Sequence, residues 1–344
     1  MDYQEFKDQI SKQIKEYFPP SYQNAKVEIN QIPKNNNQVL DGLLILREGD
    51  TLVPQIYLNG YFELYENGVS ISEIMMDISA RYFQNLTPAF ENMPTNVTDY
   101  AQVKNLLTLH LINKDMNEDM LKNVPHKDFM DTDLTAVVKI PLKSKEHESA
   151  TMQVSNELLK YWGLDIETIY QDALANTVRE QPAQIISLSE LMYEMMFDRL
   201  LSGKEAIWEE PESCEMKPYE QYVLTNPSKM FGAATLLYPS VLQQLSDNMK
   251  ANFFILPSSI HELLLLKDNG ELSAAELQAM VMDVNQETVP FQDQLSDCVY
   301  YYDGKEHTLS MATTKEETAE LGKRLQQSID FTIKKNEPDM GQEL

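Results

Sequence analysis

A chain of 344 residues, 42% hydrophobic and 24% charged, carries 54 Asp and Glu against 28 Lys and Arg, a formal net charge of −26. A chain of this length buries about 75% of its unfolded surface, which excludes disorder throughout and admits one elaborate domain or two joined ones. Its 11 glycines and 16 prolines are too few for a fibrous or low-complexity protein, and no apolar stretch approaches the roughly 18 residues that a membrane span needs.

The charge speaks against a general DNA- or RNA-binding role. A field of this sign repels phosphate, and the densest basic pairs, Lys323-Arg324 and Lys334-Lys335, are flanked by acid. Acid is concentrated from Glu262 to Glu306 and from Glu205 to Glu220. The N-terminal Met1-Asp2-Tyr3-Gln4-Glu5-Phe6 has acid where a secretory signal has base, so a cytoplasmic protein is expected. Two cysteines, Cys214 and Cys298, cannot build a disulfide framework or a four-thiolate zinc site.

In chain order, Phe6, Ile10, Ile14 and Tyr17 recur at helical spacing until Pro19-Pro20 stops them. Ala25, Val27 and Ile29 alternate as a strand. Asn35-Asn36-Asn37 turns the chain, and Leu40 to Leu46 and Leu52 to Leu58 read as two further strands. Ser70 and Glu73 have capping-box spacing, which predicts a helix to about Phe83. Strands follow at Leu106 to Ile112 and Leu134 to Ile140, with a short helix at Asn117 to Leu121 between them. The polar segment Lys143 to Glu148 reads as an interdomain joint.

Beyond the joint come a strand at Ala150 to Val154, a helix capped by Ser155 or Asn156, and a helix capped by Asp165. A methionine-bearing helix is expected over Glu190 to Leu201. Tyr222 to Asn226 is a strand, Pro239 opens a helix through Leu245, and Phe253 to Leu256 and Leu263 to Leu266 are apolar runs expected of strands covered on both faces. Ser273 and Glu276 form a second capping box. Asp303-Gly304 between two strand patterns predicts a type I′ hairpin, and a last helix runs from Glu316 to Lys335. Strands interleave with helices throughout, so the class is α+β: two mixed lobes, 1–143 and 149–312, with small, largely antiparallel sheets, then a C-terminal helix and tail at 313–344.

The densest chemistry lies in Leu256-Pro257-Ser258-Ser259-Ile260-His261-Glu262. A hydrolase or transferase could use Ser258 or Ser259 as nucleophile and His261 as base, provided a third group orients the imidazole. On an extended chain Ser259 and His261 share a face while Glu262 points oppositely, so Asp283 or Glu287 from the next helix is the expected orienter. A hairpin whose serines satisfy backbone groups explains the same residues. His261-Glu262 also begins like a zinc-protease helix, but Leu265 stands where the second histidine belongs. The other histidines lack ligand spacing, and neither a Walker loop nor a Gly-x-Gly-x-x-Gly fingerprint is present, so no metal or nucleotide cofactor is expected. Tyr300-Tyr301-Tyr302 reads as core plus rim. Asn226 and Asn285, candidate binding residues, stand where amides commonly cap backbone groups.

Tyr222 to Asn226, Phe231-Gly232-Ala233, Leu256 to Glu262 and Met280 to Asn285, with Val53 to Leu58, Leu111-Ile112-Asn113 and Asn176-Thr177 upstream, resemble a bacterial family known as domain of unknown function 5688. The resemblance reaches to about Met311 and implies a bacterial cytosolic protein; the family brings no established activity. The functional expectation is an acidic, non-catalytic protein whose partner is another protein, one with a basic face. The alternatives are the serine-histidine enzyme and an acidic inhibitor that mimics nucleic acid.

Overall fold

The computed structural model describes residues 1–50, 53–86, 96–142, 150–191, 221–257 and 259–313, with Glu317 and Leu321. Helices alternate with antiparallel sheets, as the α+β class requires. The strands are β1 (Lys26–Pro33), β2 (Val39–Leu46), β3 (Ile56–Tyr57), β4 (Thr108–Asn113), β5 (His126–Asp128), β6 (Leu134–Leu142), β7 (Ala150–Gln153), β8 (Gln184–Ser187), β9 (Gln221–Thr225), β10 (Phe253–Leu256), β11 (Leu263–Lys267), β12 (Tyr300–Asp303) and β13 (Thr308–Met311).

The chain divides into two compact units, 1–95 with 141–152, and 96–140 with 153–344. The expected joint at Lys143 to Glu148 lies outside the described residues, and the first change of unit comes earlier, between Thr95 and Asn96.

In the first unit, the helix Tyr3–Gln13 starts at a capping box of Asp2 and Glu5 and buries Phe6 and Ile10. Together with Ile14 they pack against Leu43 and Ile45 of β2 and against Ile74, Met75, Ile78 and Tyr82 of the helix Ile71–Gln84. That second helix has the expected Ser70/Glu73 capping box. β1, β2 and β3 form a three-stranded sheet. Of the strand expected over Leu52 to Leu58, the described residues hold a strand only at Ile56–Tyr57, and the helix Asn59–Glu66 follows directly behind it.

The second unit holds the longest sheet, in the order β13-β12-β10-β11-β9-β8. The registers Ile255↔Leu265, Leu265↔Tyr222 and Ile255↔Tyr300 place these four side chains on one face. Phe254, Leu256, Leu264 and Leu266 line the other, where Leu277 and Val281 of the helix Ala274–Glu287 cover them. Burial on both faces accounts for the uninterrupted apolar runs. The helix begins at the expected Ser273/Glu276 capping box.

The hairpin after Tyr302 differs from expectation. Asp303 pairs with Thr308, so the loop is four residues long, and His307 with φ 56° holds the left-handed position. Asp303 Oδ1 accepts the amides of Lys305 and Glu306. Gly304 is required for a different reason, since a Cβ there would overlap the Ser246 side chain. The helix opened by Pro239 begins at Val241 and runs to Met249. Of the helix expected over Glu190 to Leu201, Glu190 and Leu191 are helical and the rest, like the last helix apart from Glu317 and Leu321, lies outside the described residues.

One buried carboxylate joins β6 to β12 within this unit. Asp133, directly before β6, is 4% exposed. It accepts hydrogen bonds from the Tyr300 hydroxyl, from Ser296 Oγ at 2.7 Å and from Asn113 Nδ2 at 2.9 Å. Three aimed donors replace the water that the carboxylate gives up. Burial, and then the Asp133 charge, hold the Tyr300 phenol well above its ordinary pKa.

Candidate functional site

The loop between β10 and β11 carries the serine-histidine motif and is fastened by neighbouring backbone. Ser296 N donates to the Pro257 carbonyl, Ile260 N to the Asp293 carbonyl, and Ala233 N to the Ile260 carbonyl. Thr225 Oγ1, at the end of β9, donates to the His261 carbonyl at 2.9 Å. Gly232 lies inside this clamp, because a Cβ there would overlap both Thr225 Oγ1 and the His261 carbonyl oxygen.

The imidazole is committed to this scaffold. His261 Nδ1 accepts the Phe231 backbone N–H at 3.1 Å. An acceptor at Nδ1 assigns the proton of the neutral ring to Nε2, and Nε2 stands 3.7 Å from Asp293 Oδ1. Phe231 itself sits at φ 55°, an unusual conformation for a bulky side chain. Its ring packs against His110 at 4.2 Å and against His261 at 5.4 Å, with the Lys139 ammonium 5.8 Å from its centre.

Ser259 Oγ accepts the His261 backbone N–H at 3.0 Å. A serine nucleophile needs an unprotonated ring nitrogen facing its hydroxyl; here Nδ1 is occupied by a backbone donor and Nε2 bears the proton. In this geometry the Ser259 hydroxyl braces the turn and the Phe231 N–H fixes the tautomer of His261. Ser258 lies outside the described residues. Asp283 and Glu287 are exposed on the helix Ala274–Glu287, and the acid beside His261 is Asp293, on the segment after that helix. Glu262 is half-buried, and burial raises its carboxyl pKa, a rise that His261 and a hydrogen bond with the Ser259 side chain oppose and Asp293 adds to.

Asn226 and Asn285 are both buried. Asn226 donates to the Met230 carbonyl and accepts from Ser228 Oγ, which folds the turn leading to Phe231. Asn285 Nδ2 donates to the Ser296 carbonyl and Asp297 Oδ1. Each amide therefore shapes a segment bordering the clamp. Among the described residues no group of three His, Cys, Asp or Glu side chains is placed to hold a metal, and no helix is long and apolar enough to cross a membrane.

Sequence reading misses Phe231, Asp293, His110 and Lys139. Their only local signal is the Phe231-Gly232 pair, where a glycine beside an aromatic marks close backbone approach. His110 is 5% exposed, and its Nδ1 has no hydrogen-bond partner. Burial, followed by the charges of Lys139 and His261, lowers its pKa well below 6.5. The unfolded imidazole takes up a proton near pH 6.5 while the folded one does not, so stability is present above that pH and is lost as pH falls. Each unit below it removes up to about 1.4 kcal/mol. Urea unfolding from pH 7 to pH 5 is expected to show a shallower decline for His110→Leu than for the parent; parallel slopes would rule out His110 as the source.

Comparison with curated proteins and with solved structures yields no match. The Family of unknown function (DUF5688) does match, over residues 3–304, a span that contains the clamp and every strand described here except β13. The chain belongs to that family.

Proposed function

We propose that this is a non-catalytic interaction protein of the bacterial cytoplasm, whose partner is another protein with a basic face. The observation that carries this reading is the His261 Nδ1 bond to the Phe231 backbone N–H, which occupies the ring nitrogen that Ser259 would need if His261 were its general base. The net charge of −26 supports the same reading. A field of this sign speeds encounter with basic surfaces and disfavours acidic ones. Its narrower form is inhibition of a nucleic-acid-binding protein by charge mimicry.

Two measurements test the reading together. The purified protein, used as bait in host lysate, is expected to retain a specific protein at low salt and release it at high salt. A fluorophosphonate probe is expected to leave it unlabelled. Labelling that disappears in Ser259→Ala would overturn the proposal in favour of the Ser259, His261 enzyme, and so would recovery of no specific partner at low salt.

A further inference from the structure

The helix Ala274–Glu287 turns one face to the sheet and another to solvent. Leu277, Val281 and Asn285 are buried. On the outer side, Glu276, Met280, Asp283 and Glu287 recur at steps of four, three and four residues, which aligns them in one stripe, with Val284 beside it. Met280 and Val284 are 53% and 44% exposed, and Phe291, just beyond the helix, is 49% exposed. Isolated exposed apolar side chains are ordinary. Here Met280 sits within a single row of carboxylates with Val284 at its edge, and a third follows just beyond the helix.

From this we infer that the outer face of the helix Ala274–Glu287 is a docking surface for a basic amphipathic helix of another protein. The inference rests on the interaction reading above and supplies its site. Met280 and Val284 lie one helical turn apart, the spacing at which a partner helix seats apolar side chains between ridges. Asp283 and Glu287 flank them and match lysines or arginines on the borders of such a helix. A second copy of this chain would bring acid against acid, and an anionic lipid surface or a nucleic acid is repelled for the same reason. The basic helix satisfies both the apolar and the charged parts of the stripe.

The test uses the full chain and a synthetic amphipathic helical peptide with leucines on one face bordered by lysines, titrated by fluorescence anisotropy. Met280→Ser/Val284→Ser and Asp283→Asn/Glu287→Gln are each expected to weaken binding about tenfold or more. Glu63→Gln/Glu66→Gln removes two exposed acids elsewhere and is expected to leave binding unchanged. Circular dichroism and thermal melts confirm that all three variants fold. Equal weakening by the remote pair, or full binding by the face variants, would overturn the proposed surface. The lysate capture separates the two levels: a salt-labile partner retained by the face variants overturns the surface and leaves the interaction reading standing, whereas absence of any partner for the parent protein removes both.

Discussion

Asp133→Ala is expected to be among the most damaging single substitutions in the chain, lowering the unfolding free energy by about 4 kcal/mol. It removes the shared acceptor of Tyr300, Ser296 and Asn113 and leaves three donors pointing into a small void. A buried donor without a partner costs about 1–3 kcal/mol, and the three cannot easily turn toward water because the groups around them are closely packed. Tyr300→Phe removes one donor and leaves the carboxylate two, so it is expected to cost about 1–2 kcal/mol. Urea unfolding of both variants at neutral pH gives the comparison. A Tyr300→Phe loss equal to that of Asp133→Ala would mean that the Tyr300 hydroxyl alone, and not the carboxylate shared by three donors, organises this region.

Gly232→Ala is expected to cost about 3 kcal/mol, toward the upper end of what overpacking usually costs. The new methyl group meets Thr225 Oγ1 and the His261 carbonyl oxygen. The hydroxyl can rotate away, at the expense of its bond to that carbonyl, but the carbonyl belongs to backbone held on either side by Ile260 and β11. Relief therefore has to move the loop, which would also disturb the bond between Phe231 N–H and His261 Nδ1. Thermal melting reads the destabilisation, and the histidine ring resonances in an NMR spectrum read the displaced imidazole. A variant that melts like the parent and keeps the His261 resonance in place would show that the clamp is looser than described.

What could be read from the chain alone follows the range of the physics involved. The helices at Ile71–Gln84 and Ala274–Glu287 announce themselves because a capping box and an apolar stripe are both local signals. β10 and β11 were legible because two covered faces leave no polar positions. The helix Asn59–Glu66 was missed, since Gly60 and the aromatic Tyr61 and Phe62 are weak helix formers and its start follows a strand without a break. β8 is four residues long, too short for alternation to show. The type I′ expectation gave Gly304 the wrong role, reading turn geometry where the cause is contact with Ser246. At the candidate site, the motif was visible but its wiring was not. Asp293 reaches His261 only because the chain folds back after Glu287, and Asp133 meets Tyr300 from far along the chain. No periodicity encodes a pairing of that kind.

The strand order β13-β12-β10-β11-β9-β8 has a kinetic meaning. β10 with β11, and β12 with β13, are sequence neighbours, whereas β9 against β11 and β10 against β12 join segments that are distant in the chain. Hairpins close in microseconds, but the distant seams must first overcome the entropy of closing long loops. The two fasteners described above border those seams: Thr225, Gly232 and His261 lie where β9 ends and β11 begins, and Asp133 grips Tyr300 in β12. Partial opening of this sheet is thus expected to part whole hairpins along a seam, with each hairpin moving as one cooperative unit.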